Sequence, residues 1–278
     1  MKDDILAETL VTGAGGMVGS YIDFGIKLDH AMLDITDVKS VEQAFKKYKP
    51  KAVVHLAALT DVDLCEKDPA RAYQVNSVGA YHVALAARNV GASMVYVSTA
   101  GVFDGTKRSP YSEHDLPNPQ NYYGHSKYLG ELAVANTLEN HVIVRVCWMM
   151  GGGPAQDKKF VAKIMRQLND PAVSEIKAVT DQIGSPTFGK DLVGAIKQLL
   201  ATKHRGIVHS ANTGSASRYD VARSMVEILN KKTKVTGVPS SYFNLPAVRP
   251  QNEVLVSSLD LMRPWEEALR AYLTSEWK

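Results

Sequence analysis

Tyr123 and Lys127 are the two residues of this chain whose types and spacing most directly indicate acid–base chemistry. On a helix, side chains four positions apart lie on one face, so a phenol and an ammonium can reach the same ligand. A tyrosine pKa of about 10 is too high for easy proton exchange at neutral pH, but a neighbouring cation stabilises the phenolate and lowers that pKa. Ser98 and Thr99 precede the tyrosine by about 24 residues, at the end of a predicted strand. A hydroxyl there could hydrogen-bond a substrate carbonyl while Tyr123 passes it a proton.

A glycine-rich stretch at 12–19 follows the first predicted strand. Its glycines at 13, 16 and 19 would let the chain turn tightly and bring backbone amides to a pyrophosphate, as in dinucleotide-binding turns. The acid that binds the adenosine ribose usually lies about 20 residues further on. Asp29 comes 16 residues after Gly13, and Asp34 comes 21 residues after it. If Asp29 is that ligand, the first helix has lost about two turns; otherwise Asp29 is a turn residue and Asp34 a helix cap.

Alternating apolar runs and helical segments predict the scaffold that holds these residues. The predicted strands are 9–11, 52–56, 94–98 and 142–146. The predicted helices are 38–48, one or two within 69–90, 122–136, 160–168, 191–200 and 219–229. Continuous apolar strands separated by helices are typical of a doubly wound α/β fold, whose parallel sheet binds ligands at the carboxyl ends of its strands.

The regular alternation of apolar strands and helices ends after the glycines at 151–153. We expect residues 1–150 to form a dinucleotide-binding domain and residues 151–278 to form mainly a substrate-binding lobe. Part of about 175–205 is expected to return to the first domain.

Composition excludes several classes of protein. The 278 residues carry a net charge of +3 with both signs mixed along the chain, which argues against nucleic acid or a membrane surface as partner. Cys65 and Cys147 have no metal-site spacing, and two reduced thiols are typical of a cytoplasmic protein. Asp61, Asp63 and Glu66 are expected to cap a helix rather than bind a metal. No apolar run reaches the roughly 20 residues of a membrane-spanning helix, and the first residues lack the apolar segment of a secretion signal.

Further motifs follow in a fixed order along the chain. They are HLAALT at 55–60, VN at 75–76, VSTAGVFDGT at 97–106, PYSE at 110–113, YYGHSK at 122–127, GE at 130–131, DQIGSPT at 181–187 and RP at 249–250. By this set the chain resembles, nearly end to end, the extended short-chain dehydrogenase/reductases, and within them the dTDP-4-dehydrorhamnose reductase family. The resemblance implies a Rossmann-type domain with a small C-terminal lobe for a nucleotide sugar. NADPH or NADH would deliver a hydride to carbon 4 of a dTDP-linked 4-keto-6-deoxy sugar.

The resemblance also implies a role for individual residues. Tyr123 would protonate the developing alkoxide, Lys127 would bind the nicotinamide ribose, and Thr99 would hydrogen-bond the substrate. Trp148 would pack on the sugar, and Arg249 would lie near the nucleotide. The remaining residues expected to bind the dinucleotide are Gly13, Gly16, Met17, Val18, Gly19, Asp29, Asp34, Leu56, Ala57, Ala58, Thr60, Asn76 and Ser98.

Two departures from the family pattern leave alternatives open. The family commonly has Asp-Tyr after the catalytic threonine, where this chain has Ala100-Gly101, so the sugar pocket should be larger or differently shaped. The short segment between Gly19 and Asp29 leaves the choice between NADH and NADPH open.

A sugar-nucleotide epimerase or dehydratase is one alternative function, and a non-catalytic regulatory subunit of the methionine adenosyltransferase type is another. A homodimer is compatible with the sequence.

Overall fold

Short runs of buried apolar residues pair into one parallel sheet at the centre of the protein. The computed structural model describes residues 5–277. Its strands are β1 Thr9–Thr12, β2 Ile26–Leu28, β3 Ala52–His55, β4 Ser93–Thr99, β5 His141–Val146, β6 Met149–Met150, β7 Glu175–Val179, β8 Ile183–Gly184, β9 Thr187–Phe188, β10 Gly206–His209, β11 Ala216–Ser217, β12 Lys234–Val238 and β13 Asn252–Glu253. The central sheet has the order β10-β5-β4-β3-β1-β2, and each neighbouring pair is parallel. The prediction of a doubly wound α/β fold is confirmed.

Helices cover this sheet and build the rest of the molecule. They are α1 Val38–Tyr48, α2 Val62–Lys67, α3 Pro69–Tyr73, α4 Gly79–Val90, α5 Tyr122–Thr137, α6 Gly153–Gln156, α7 Phe160–Leu168, α8 Gly189–Ala201, α9 Arg218–Ile228 and α10 Trp265–Glu276. The predicted bounds of α1 and α7 are confirmed at both ends. The segment predicted as one or two helices holds α3 and α4, joined by a π-helical turn, Gln74–Val78.

Each face of the sheet buries its own layer of side chains. On one face, apolar residues of α1, α4 and α5 pack on Leu10, Val53 and Met94. On the other face, α8 packs on Val11, Val54 and Val144. Because successive strand residues point to opposite faces, both layers come from the same strands. The carboxyl ends of the strands therefore form one edge at which side chains from β1, β3 and β4 converge.

The helix that ordinarily follows the glycine-rich turn is missing. A single 3-10 turn, Gly19–Tyr21, leads to β2, and Asp29 comes directly after that strand. Tyr21 connects this turn to the end of the chain, because its hydroxyl donates to the carboxylate of Glu276 at 2.7 Å. It also accepts a hydrogen bond from the backbone amide of Gly152. Contacts with α10 and with the 151–153 segment thus fix the position of this short turn, which stands where a full helix ordinarily follows.

A second core lies in the C-terminal half. Side chains of α7, α9 and α10 pack there with β7, which pairs in parallel with β12. A small sheet of order β11-β8-β13 joins this region to the carboxyl edge of the central sheet, and the chain returns to the central sheet through α8 and β10. Within residues 5–277, no helix is both long and apolar enough to span a membrane.

Candidate active site

Helix α5 carries Tyr123 and Lys127 and lies close against β4. Asn121 begins the helix by accepting a hydrogen bond from the amide of Gly124 at 2.8 Å. A side chain at Gly124 would collide with the carbonyl oxygen of Gly101, and one at Gly130 would collide with the hydroxyl of Tyr96. These two glycines therefore permit the close approach of helix and sheet that brings Tyr123 to the end of β4.

Thr99 and Tyr123 lie on either side of Gly101. A Cβ atom at Gly101 would be 3.4 Å from Oγ1 of Thr99 and 3.7 Å from a ring carbon of Tyr123. Thr99 Oγ1 also accepts a hydrogen bond from the amide of Gly101 at 3.0 Å. Burial raises the pKa of Tyr123 to about 12, while a hydrogen bond with Thr99 opposes the rise. The predicted hydroxyl and phenol are thus brought together, with the phenol held in its protonated form.

Lys127 is buried behind this pair. Only 3% of the residue is exposed, its Nζ donates to the carbonyl of Val97 at 2.8 Å, and it lies 4.1 Å from the ring centre of Tyr96. Burial lowers the pKa of Lys127 to about 7, and the negative charge of Glu131 partly opposes this shift. We expected Lys127 to lower the pKa of Tyr123, but the structure shows burial and nearby acidic groups raising it. A half-neutral, buried amine directed at a backbone carbonyl gives the phenolate little stabilisation.

Glu131 belongs to a buried ion pair that the sequence did not reveal. Its carboxylate accepts two hydrogen bonds from Arg145, at 2.9 and 2.7 Å, and both side chains are at most 3% exposed. Ser98 donates to the same carboxylate at 2.5 Å. The hydroxyl of Ser98, expected at the dinucleotide, is therefore committed to Glu131, and only its backbone remains for a ligand. Glu131 lies one helical turn beyond Lys127 and acts on its charge through space.

The glycine-rich turn and the loop after β3 form a common cradle. Gly13 has φ +69°, and a Cβ atom there would lie 2.6 Å from the amide nitrogen of Ala57, so only glycine fits. Gly19 similarly approaches the backbone of Ala14. Of the other expected cradle residues along this edge, Gly16 is exposed, and five are partly exposed: Met17, Val18, Leu56, Ala57 and Ala58. This close approach at the carboxyl edge of the sheet is the arrangement in which dinucleotide-binding turns hold a pyrophosphate.

Of the two candidate acids, Asp29 lies nearer the cradle. A Cβ atom at Gly15 would be 3.3 Å from the Cβ of Asp29. Asp34 instead accepts two hydrogen bonds from Thr36, at 2.9 Å from its amide and 2.7 Å from its hydroxyl. These bonds, the side-chain one foremost, lower the pKa of Asp34. Asp34 thus shapes the turn before α1, but the cap of that helix is Asp37, which accepts from the amide of Lys39 at 2.9 Å.

Asn76 and Thr60 hold protein segments together. The amide of Asn76 is 1% exposed, accepts from the amide of Leu59 at 2.8 Å, and donates to the Leu59 carbonyl and to Ser126, both at 3.0 Å. Its side chain therefore positions the loop after β3 and has no free group for the dinucleotide. Thr60 accepts two hydrogen bonds from Nζ of Lys159, at 2.9 and 3.1 Å, which tie the loop to α7.

Trp148 follows β5 at the carboxyl edge of the sheet, where the ligand cleft is expected, and Arg249 comes from the C-terminal lobe. Trp148 has φ +33°, a conformation unfavourable for a bulky residue, which indicates that the surroundings fix it. Its indole nitrogen donates to Glu253 at 2.8 Å, and the guanidinium carbon of Arg218 lies 3.6 Å from its ring centre. Arg249 pairs with Asp63 at 3.0 Å and so joins the lobe to α2.

Arg218 and Glu253 were not among the predicted site residues. Arg218 is the first residue of α9, and Ser217 before it forms a capping box with Asp220. That local signal predicts the start of a helix but does not indicate that Arg218 lies near Trp148.

The acidic residues considered as metal ligands have other partners: Asp61 caps α2, Asp63 pairs with Arg249, and Glu66 accepts from the amide of Tyr122. Among residues 5–277, no three acidic, histidine or cysteine side chains converge as a metal site would require.

Replacing Gly124 by alanine tests the close approach of α5. The new methyl group would collide with the carbonyl of Gly101, so we expect the free energy of unfolding to fall by about 1–3 kcal/mol. The matched control is Gly194→Ala on α8, where no atom lies within 4 Å. That change should raise stability by about 0.5–1 kcal/mol. Urea denaturation measures both, and equal effects would contradict the packing described.

Comparison with known proteins places the whole chain in one family. A family model described as RmlD substrate binding domain matches residues 7–276. The spore coat polysaccharide biosynthesis protein SpsK of Bacillus subtilis is 36% identical over 281 residues, covering 96% of this chain and 97% of that protein. A dTDP-4-dehydrorhamnose reductase of Mycolicibacterium smegmatis is 37% identical over 287 residues, covering 96% and 85%.

Solved structures agree with this placement. The crystal structure of a dTDP-4-dehydrorhamnose reductase of Bacillus anthracis in complex with NADP has a TM-score of 0.90 to this chain at 34% identity, covering 96% of this chain and 98% of that one. Fold, site and sequence therefore lead to one conclusion: the chain belongs to the RmlD substrate binding domain family of extended short-chain dehydrogenase/reductases.

Proposed function

We propose that this protein is an NADPH- or NADH-dependent reductase of a nucleotide-linked 4-keto-6-deoxy sugar, with dTDP as the nucleotide. The observation that carries the proposal is the position of Thr99 and Tyr123 around Gly101, with Lys127 buried one helical turn further along α5. The reductases named among its relatives support the choice of reaction and substrate.

The residues suit the protonation of a carbonyl oxygen during reduction. The bound dinucleotide would supply a hydride to carbon 4 of the sugar. Tyr123 would donate its phenolic proton to the carbonyl oxygen as negative charge develops there, and Thr99 would donate a hydrogen bond to the same oxygen. Because burial raises the pKa of Tyr123 to about 12, the phenol remains protonated and ready to donate at neutral pH.

Lys127 is proposed to bind the nicotinamide ribose. A buried amine with a pKa of about 7 changes its charge within the physiological range. Ribose hydroxyls that accept its N–H groups would favour the charged form. The resulting cation beside Tyr123 would then stabilise the phenolate left after proton transfer.

The cradle of residues 13–19 and 56–58 is proposed to hold the pyrophosphate, with Asp29 at the adenosine ribose. A carboxylate there binds ribose hydroxyls and repels a 2′-phosphate, whereas the relative from Bacillus anthracis holds NADP. We therefore propose that the protein accepts both NADH and NADPH as hydride donors. We also propose that residues 1–150 bind the dinucleotide, while Trp148, Arg249 and the C-terminal lobe bind the nucleotide sugar.

The alternative functions have less support. An epimerase or dehydratase would be favoured by acid–base residues next to Thr99, and Ala100 and Gly101 supply none. A purely regulatory subunit has no need of a phenol and an amine held in register at the carboxyl edge of the sheet. We propose a cytoplasmic location, supported by the two free cysteines.

We propose a homodimer formed through α4 and α5. Tyr81 on α4 and Leu129 and Leu132 on α5 are each 36–43% exposed. Two such helices from each of two copies would pack as a four-helix interface and bury these side chains.

Substituting Tyr81 and Leu132 together by glutamate tests the dimer. Charges placed in a buried apolar interface are costly, so sedimentation velocity should show the unaltered protein as a dimer and the double variant as a monomer. Leu116→Glu, at an 88% exposed loop position, is the control and should leave the mass unchanged. A monomeric unaltered protein would refute the proposal.

Tyr123→Phe removes the proton donor without removing the ring. We expect kcat for NADPH oxidation with dTDP-4-keto-6-deoxy sugars to fall by about 10²–10⁴-fold, the usual contribution of a positioned acid. Binding of NADPH, followed by its fluorescence, should be unchanged. Tyr122→Phe is the matched control, because this exposed neighbour should tolerate the change. Equal activity of the two variants would exclude Tyr123 as the acid.

The buried pair of Glu131 and Arg145 should set the pH range of activity. Replacing both by glutamine keeps the local net charge but removes the carboxylate that favours charged Lys127. The pKa of Lys127 should then fall further, so the loss of kcat/KM on the basic side should begin at a lower pH. The control replaces the exposed pair Arg223 and Glu227 by glutamine. A pH profile identical to that of the control would contradict the proposed coupling.

A further inference from the structure

Arg218 is a cation without a hydrogen-bonding partner inside the cleft. Its guanidinium carbon lies 3.6 Å from the ring centre of Trp148 and 4.9 Å from that of Phe160. Within residues 5–277 its guanidinium donates no hydrogen bond and forms no ion pair. Two aromatic rings therefore fix the orientation of a planar group whose N–H donors remain unused.

Glu253 lies near this cation yet does not pair with it. In the described part of the chain, the only hydrogen bond to its carboxylate comes from the Trp148 indole, at 2.8 Å. Burial raises the pKa of Glu253, while that indole bond and the charge of Arg218 oppose the rise. Burial lowers the pKa of Arg218 to about 10, and Glu253 is the main opposing charge. No hydrogen bond or ion pair joins the two groups in the described part of the chain, so they act on each other without direct contact.

Glu253 is near enough to the reacting centre to act on its charge, and Arg218 is connected to Glu253 through Trp148. The charge of Glu253 contributes to the raised pKa of Tyr123. Trp148, which joins the two groups, is held by close packing against Gly184 and by its own left-handed backbone. A side chain at Gly101 would contact both Thr99 and Tyr123 and so narrow the space beside them.

A guanidinium only donates hydrogen bonds, and a carboxylate only accepts them. A group that satisfies both must accept from one and donate to the other, as a hydroxyl does. In a 4-keto-6-deoxy sugar whose carbonyl is held by Thr99 and Tyr123, carbon 5 carries the methyl group and carbon 3 carries a hydroxyl. The neighbouring hydroxyl is therefore the one on carbon 3.

We propose that Arg218 and Glu253 together bind the carbon-3 hydroxyl of the sugar and so determine which 4-keto sugars this protein accepts. The proposal deepens the proposed function and rests on it for the placement of the carbonyl. It assigns the pair to recognition of substrate, and it excludes sugars that lack an oxygen at carbon 3.

Binding measurements test this assignment without requiring turnover. Calorimetry in the presence of NADP⁺ would compare dTDP-rhamnose, its 3-deoxy analogue and dTDP alone. The unaltered protein should bind dTDP-rhamnose about 10–100-fold more tightly than the analogue, the usual effect of hydrogen bonds to charged groups. Equal affinities for the two sugars, or binding of neither, would overturn the proposal.

Two variants locate the preference. Glu253→Gln, which can still accept the indole bond, and Arg218→Met, which keeps an apolar stem on Trp148, should each reduce the preference to less than about 3-fold. Their affinity for dTDP should be unchanged. Arg223→Met and Glu227→Gln, at the exposed pair on α9, are the controls and should keep the full preference. Retention of the preference in the cleft variants would also overturn the proposal.

The same samples separate this proposal from the proposed function. Absence of NADPH oxidation with the 4-keto sugar, together with the expected preference, would refute the reductase and leave the hydroxyl site standing. Oxidation of NADPH with the 4-keto sugar, without the preference for dTDP-rhamnose over its 3-deoxy analogue, would refute the hydroxyl site and leave the reductase standing.

Discussion

The close approach of α5 to β4 is the constraint on which the rest of the site depends. Gly124 and Gly130 have no side chains to separate the helix from the sheet, so Tyr123 reaches the end of β4 and Lys127 enters the interior. Burial then determines the chemistry. The pKa of the phenol rises to about 12 and that of the amine falls to about 7. At neutral pH these opposite shifts leave the phenol of Tyr123 protonated and the amine of Lys127 close to half-protonated.

Such burial is costly unless the surrounding polar groups are satisfied. Glu131 is held by both Arg145 and Ser98, and it places a fixed negative charge one turn beyond Lys127. Asn76 similarly joins the loop after β3 to α5 through Ser126. The side chains of these residues are committed to protein partners and have no direct part in the proposed reaction. They fix the orientation and charge of the residues that do, and so connect the core of the fold to its chemistry.

Sequence alone predicted the fold class and the bounds of α1 and α7, because these follow from periodicity and local spacing. It predicted the pairing of Thr99 with Tyr123 from the order of the motifs along the chain. It did not predict the partners of Ser98 and Asn76, since a hydroxyl or an amide at a strand or helix end suits a ligand and a protein contact equally well. Arg218 and Glu253 were missed for another reason. They lie far from the Tyr123 motif along the chain, and only the tertiary fold brings them to Trp148.

Transfer of a labelled hydride tests the proposed reduction most directly. The protein would be incubated with a dTDP-4-keto-6-deoxy sugar and NADPH in which both hydrogens at carbon 4 of the nicotinamide are replaced by deuterium. Proton and deuterium NMR of the product sugar would then be recorded. We predict deuterium bound at carbon 4 of the sugar, in an amount equal to the NADPH consumed. A sugar free of deuterium, or a rearranged sugar formed with no net consumption of NADPH, would contradict the reductase mechanism.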